Sequence, residues 1–151
     1  MSRKIKKYIP KGSDYVQEKF INFIMRDGKK LLARRIFKDT LEEIKKKGSK
    51  DPLKIFKKAI ENVTPSMEVR PKRVGGGVYQ IPVEVKESRK LTLAFRWIMT
   101  AARSKKGKPF YISLAGELID ASDDTGVAIK KKEDSHKMAE ANKAFAHLAR
   151  F

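Results

Sequence analysis

Three arginines, Arg89, Arg96 and Arg103, recur at intervals of seven in a stretch whose apolar residues keep helical spacing. Residues seven apart return to nearly the same azimuth of a helix with about 3.6 residues per turn, so the three form one stripe. The stripe falls opposite the apolar face of Leu91, Ala94, Phe95, Ile98, Ala101 and Ala102. Nothing acidic occurs between Ser88 and Gly116, while Lys90, Lys105, Lys106 and Lys108 add to the charge. Helices that serve only a fold gain by interleaving acids at i+4. One without them suits an external polyanion, and its chemistry is neutralisation of phosphate. A merely solvated face is the plainer alternative. Similar cations crowd the start of an earlier predicted helix, at Lys29, Lys30, Arg34 and Arg35, where they oppose the helix dipole. Arg70, Lys72 and Arg73 stand beside Gly75-Gly76-Gly77, and Arg3, Lys4, Lys6, Lys7 and Lys11 crowd residues 1–12.

Catalytic constellations are missing. The chain has no cysteine, hence no disulfide, thiolate zinc site or Cys nucleophile. Its two histidines, His136 and His147, lie eleven residues apart. Glu133 and His136 share a helical face at i, i+3, but a second Glu/His pair to complete a metal site is absent. No GxSxG, HExxH or Walker sequence occurs, and no Gly-Lys-Ser/Thr follows the glycine triplet. The adjacent carboxylates Glu42-Glu43 and Asp123-Asp124 point in different directions on a helix. The expectation is a protein that is not an enzyme and carries no cofactor or metal.

The elements that position these cations follow from length and pattern. A chain of 151 residues fits one domain, and Leu, Ile, Val and Phe supply 38 of them, enough for a modest core. Thirty-six Lys and Arg against 18 Asp and Glu leave a net charge of +18. Such an excess calls for a polyanionic partner, nucleic acid before an acidic membrane surface. No apolar run is long enough to span a membrane. Residues 1–12 read as a basic arm, without the apolar stretch of a secretory signal, and residues 13–151 as a single helical domain.

The predicted fold is mainly α: about six helices with a protruding two-stranded hairpin over about residues 69–85. Ser13 or Asp14 caps a first helix, which Gly28 stops. A second runs from about Lys30 to Lys47, and Asp51-Pro52 opens a third. Alternating Tyr79, Ile81, Val83 and Val85 mark a strand, Val69 to Val74 its partner, and the glycine triplet the turn. Pro71 and Pro82 suit a two-stranded ribbon better than a central strand. Ser88 caps the fourth helix, on which Trp97 is expected to be partly buried. A fifth exposes Glu117, Asp120, Asp123 and Asp124. Lys130-Lys131-Lys132 precedes a last helix from about Glu133 to Leu148, with Met138 in the core.

These residues carry a recognisable pattern. It runs from Phe20-Ile21-Asn22, Ile24-Met25 and Asp27-Gly28-Lys29-Lys30, through Asp51-Pro52-Leu53, Glu61-Asn62-Val63 and Pro65, to Arg73-Val74-Gly75-Gly76, Tyr79-Gln80 and Pro82-Val83-Glu84-Val85. It continues through Arg96-Trp97, Ala101-Ala102-Arg103 and Lys131-Lys132-Glu133-Asp134 to Met138-Ala139-Glu140-Ala141-Asn142-Lys143-Ala144-Phe145-Ala146-His147. The chain closely resembles the small-subunit ribosomal protein seven family of the bacterial and organellar type, over nearly its whole length. The segment 109–113, the N-terminal arm and the end Leu148-Ala149-Arg150-Phe151 depart from the family pattern.

The resemblance implies a helical body with a projecting hairpin. It implies primary binding of 16S-type rRNA, nucleating assembly of the head (the 3′ major domain) of the small subunit. It also implies a position near exit-site tRNA and the mRNA path, beside ribosomal protein eleven of the small subunit and other head proteins. The location implied is cytoplasmic and ribosome-bound, or an organellar ribosome. The rRNA-facing residues would be Arg3, Lys4, Lys6, Lys7, Lys11, Lys29, Lys30, Arg34, Arg35, Arg70, Lys72, Arg73, Gly75, Gly76, Arg89, Lys90, Arg96, Arg103, Lys105, Lys106, Lys108, Lys131 and Lys132. Gly77, Val78, Tyr79, Lys143 and His147 would lie nearest tRNA and mRNA. An architectural DNA-binding protein with a basic β-arm is the alternative.

Overall fold

The computed structural model describes residues 9–150, without the side chain of Arg150. Six α-helices are present among them: α1 (Tyr15–Ile24), α2 (Lys30–Lys46), α3 (Pro52–Val63), α4 (Glu87–Ser104), α5 (Phe110–Ser122) and α6 (Val127–Ala141). A hairpin of β1 (Met67–Val74) and β2 (Gly77–Glu84) separates α3 from α4, and a 3-10 helix, Lys143–Arg150, closes the chain. None of these helices is long and apolar enough to cross a membrane.

Four helices each give a phenylalanine to an aromatic cluster, and α1 adds a second, Phe23, at 5.5 Å from Phe95. Phe20 of α1 stands edge-on to Phe37 of α2, Phe56 of α3 and Phe95 of α4, at centroid distances of 6.0, 5.0 and 5.1 Å. Edge-to-face rings at these distances place the positive edge of one on the negative face of the next. Helix α5 packs against α2, α3 and α4 and buries Leu114, Ala115, Leu118 and Ala121 completely. Trp97 is half-buried against this core, as its helical position predicts.

Helix ends are closed partly by local and partly by distant groups. The Asp14 carboxylate accepts the Gln17 N–H at 2.8 Å, and Asp51 accepts that of Lys54 at 3.1 Å with Pro52 as first helical residue. Both are N-cap bonds to the third residue along. The Asn62 amide donates to the carbonyls of Ala121 and Ser122 at the end of α5, and Lys132 Nζ donates to the Asn62 carbonyl at 2.6 Å near the end of α3.

Several boundaries differ from expectation. Helix α1 ends at Ile24, four residues before Gly28, because Met25 turns to an extended conformation. Lys86, not Ser88, is the N-cap of α4, and Ser88 lies inside the first turn. Helix α6 begins at Val127, so Lys130, Lys131 and Lys132 belong to it, and its C-terminal continuation tightens into the 3-10 helix. Met138 is 54% exposed and outside the core. Glu117, expected on an acidic outer face, is fully buried.

The hairpin pairs Arg70 with Ile81 and Val74 with Gly77, so its loop is two residues long. Gly75 and Gly76 have φ of +56° and +86°, the left-handed region a two-residue turn of matching twist requires. Gly77 is the first residue of β2 rather than part of the turn. The ribbon packs along α6 and the 3-10 helix. That answers how a two-stranded sheet, marginal alone, persists here.

Candidate nucleic-acid interface

Three buried acids sort the cations into those that hold the fold and those that do not. Glu18 on α1 is the first. It binds Arg34 at 3.0 Å and Lys30 at 3.4 Å. Lys30 also donates to the Asn22 side chain. An internal acid thus balances two of the four cations at the start of α2. Lys29 and Arg35 stay exposed.

Glu68 on β1 is the second. Arg89 Nε donates to both of its carboxylate oxygens at 2.8 Å, and Arg70 Nε to one at 2.7 Å. Burial by itself would raise this carboxyl, but the hydrogen bonds and charges of Arg89 and Arg70 outweigh it and hold it below its ordinary 4.5. The base of the hairpin is thereby clamped to α4.

Glu117 on α5 is the third. One oxygen accepts the Ala128 N–H at 2.9 Å, in the first turn of α6, and the other lies 2.9 Å from Lys105 Nζ. Glu117 is therefore a cap supplied from another helix, at an end where Gly126 offers no side chain. Gly126 has φ +95°, and a Cβ there would stand 3.1 Å from Asp120 Cβ and 3.2 Å from Glu117 Oε1. Desolvation acts to lower the Lys105 ammonium, but Glu117 and Asp120 prevail and hold it above its ordinary value.

The arginine stripe of α4 is consequently three different sites. Arg89 is engaged by Glu68. Arg96 is exposed, and its guanidinium makes no hydrogen bond or ion pair among the described residues. Arg103 donates to the Phe23 carbonyl at 3.4 Å and lies 5.9 Å from the Phe110 ring centroid. Desolvation and then the nearby Arg26 charge lower its pKa. The stripe does not simply oppose the core, because β1 covers one end of it and α1 the other.

The remaining predicted residues divide in the same way. Lys90 pairs with Glu87 across one helical turn, Lys132 caps α3, and Lys72 donates to the Leu148 carbonyl at 3.4 Å. Arg73, Lys106 and Lys108 are exposed and Lys131 half-buried, and none is paired among the described residues. Lys11 is exposed. Arg3, Lys4, Lys6 and Lys7 lie outside the described residues. Gly75 and Gly76 form the exposed hairpin tip.

The hairpin and the C-terminal segment come together. Tyr79 on β2 stacks at a tilt on Phe145 of the 3-10 helix, with centroids 5.4 Å apart. Val78 is 68% exposed beside it. Lys143 is exposed and pairs with Glu140, and His147 is exposed with its ring at 2.9 Å from the Ala144 carbonyl. His136 is not set up for a metal: its Nε2 accepts the Ser66 N–H at 3.1 Å, and burial, then Lys132, lowers its pKa. No three His, Cys, Asp or Glu side chains converge among the described residues.

Exposed cations from several elements and a clamped basic ribbon leave a dispersed cationic surface. The sequence pattern of the family described as "Ribosomal protein S7p/S5e" matches residues 2–143. The chain belongs to the ribosomal protein S7 family. Small ribosomal subunit protein uS7 of Pseudothermotoga lettingae is 59% identical over 139 residues, covering 92% of this chain and 90% of that protein. The uS7 proteins of Thermotoga maritima and Thermodesulfovibrio yellowstonii are 54% and 53% identical, each over 138 residues, 91% of this chain and 89% and 88% of their own. As a member of this ribosomal family the chain is a structural, RNA-binding component of the ribosome and not an enzyme. Membership also sets aside the DNA-architectural alternative.

Sequence reasoning missed the sorting acids. Glu18, Glu68 and Glu117 lie 12 to 21 residues from their cationic partners, except for Arg70 beside Glu68. Helical i+4 arithmetic does not reach that far. It also passed over Arg26, whose charge faces Arg103.

Proposed function

We propose that this structural protein of the small ribosomal subunit is a primary binder of 16S-type rRNA that nucleates assembly of the subunit head, the 3′ major domain. The observation that carries this reading is the set of exposed, unpaired cations on separate elements: Lys29 and Arg35 on α2 and its N-cap, Arg73 on β1, Arg96 on α4, and Lys106 and Lys108 after it. No single groove of a duplex matches cations so dispersed. A folded junction of RNA helices does, read through shape and phosphate positions. Residues Arg3, Lys4, Lys6 and Lys7 would add an arm that orders on the same backbone.

A second face is assigned to exit-site tRNA and the mRNA path, with ribosomal protein eleven of the small subunit and other head proteins as neighbours. The packing of Tyr79 against Phe145, with Val78 exposed beside them, supports treating the hairpin tip and the C-terminal segment as one surface. The test is a salt series of binding to a 3′-domain fragment of small-subunit rRNA, against a scrambled RNA of equal length and a DNA duplex. Preference for the fragment that survives high salt is expected. Equal binding to all three, vanishing with salt, would overturn the reading.

A further inference from the structure

We infer that the groove between the α1–α2 turn and the start of α5 binds one unstacked nucleotide of the RNA, its phosphate held by Arg26, Lys29 and Arg103 and its base laid on Phe110 and Leu32. The inference rests on the rRNA-binding reading and gives it a particular pocket. These five residues line a single groove of about 370 Å³, within the range of small-ligand sites, about 300–1,000 Å³.

Its charge is unbalanced. None of the three cations is ion-paired among the described residues, although acids elsewhere engage ten Lys and Arg. Arg26 and Arg103 lie close enough to oppose each other's charge, and desolvation already disfavours the Arg103 cation. Two arginines held together without an acid are relieved by an anion placed between them. The single acid on the lining, Asp27, pairs with none of them. Its carboxylate is an acceptor for the exocyclic amine of a base rather than a neighbour for phosphate.

The floor is apolar where the rim is cationic. Leu32 is 49% exposed, and Phe110 is half-buried, with the Arg103 guanidinium carbon 5.9 Å from its ring centroid. An aromatic face beside an arginine plane is the surface on which RNA-binding proteins stack splayed bases.

The experiment uses the full chain and the 3′-domain rRNA fragment. Ultraviolet irradiation of the complex, followed by peptide mass spectrometry, is expected to give a nucleotide adduct on the peptide carrying Phe110. Phe110→Ala is expected to weaken binding about tenfold with the salt slope unchanged. Arg103→Gln is expected to lower that slope by about one. Leu32→Gln, on the exposed wall, should weaken binding without touching the core. If the wild type binds the fragment tightly while Phe110→Ala and Leu32→Gln bind equally well and no adduct forms, the groove is empty in the complex and the inference falls, leaving the rRNA reading intact. If the wild type shows no preference for the fragment, the rRNA reading falls with it.

Discussion

Arg96→Gln and Arg89→Gln should separate binding from folding, although both residues belong to one helical stripe. The Arg96 side chain is exposed and unpaired, so on the proposed rRNA reading its loss removes one phosphate contact and nothing internal. Each neutralised phosphate contributes about 0.7–0.9 to the slope of log K against log salt. Arg96→Gln should therefore flatten the slope by about one at most, and each doubling of salt should cost the variant about twofold less affinity than it costs the wild type. Its melting temperature should not move. Arg89 instead donates to both oxygens of Glu68, whose side chain is only 9% exposed. Hydrogen bonds to charged groups contribute about 1.5–3 kcal/mol. Arg89 is 42% exposed and Arg70 still serves the carboxylate, so screening lowers the expected loss to about 1–2 kcal/mol. In a chain of this size that is a melting point lower by about 2–8 °C. Calorimetry measures the second effect and filter binding across a salt series the first. An Arg89→Gln protein that melts like the wild type yet flattens the slope as Arg96→Gln does would refute the clamp.

The Glu117 cap makes a graded prediction. Glu117→Ala leaves the Ala128 N–H without its acceptor and Lys105 without its buried partner, and should cost about 2–4 kcal/mol, read from urea midpoints. Glu117→Gln keeps an acceptor for the N–H and should lose roughly half as much; equal losses in both variants would place the cost in the ion pair alone. Glu68 makes the acid limb sensitive to pH. Its carboxyl is held below 4.5 in the folded protein, so its contribution is complete above that value and disappears as pH falls through the lowered one. Unfolding measured from pH 6 down to pH 3 should show a smaller loss of stability in Glu68→Gln than in the wild type, and parallel curves would contradict it.

Local chemistry was legible in the sequence because local chemistry decides it. Asp51-Pro52 opens α3, Gly75-Gly76 turns the hairpin, and the period of Phe20, Ile24, Phe37 and Ile44 marks the faces that form the core. Net charge and the acid-free stretch around α4 were enough to require a polyanion, and the residues from Phe20 to His147 were enough to suggest the family. The sequence could not say which cations remain available. That depends on three glutamates brought from other elements, each buried because its partners satisfy it. Burial of Glu117 looks from the sequence like an exposed acidic face, since its neighbours Asp120, Asp123 and Asp124 are polar; only the approach of the bare N-terminus of α6 and of Lys105 makes burial favourable. Charge and periodicity belong to the chain. The pairing of charges belongs to the tertiary structure, because Coulomb and hydrogen-bond energies fall off over a few ångströms, and sequence separation carries no such distance.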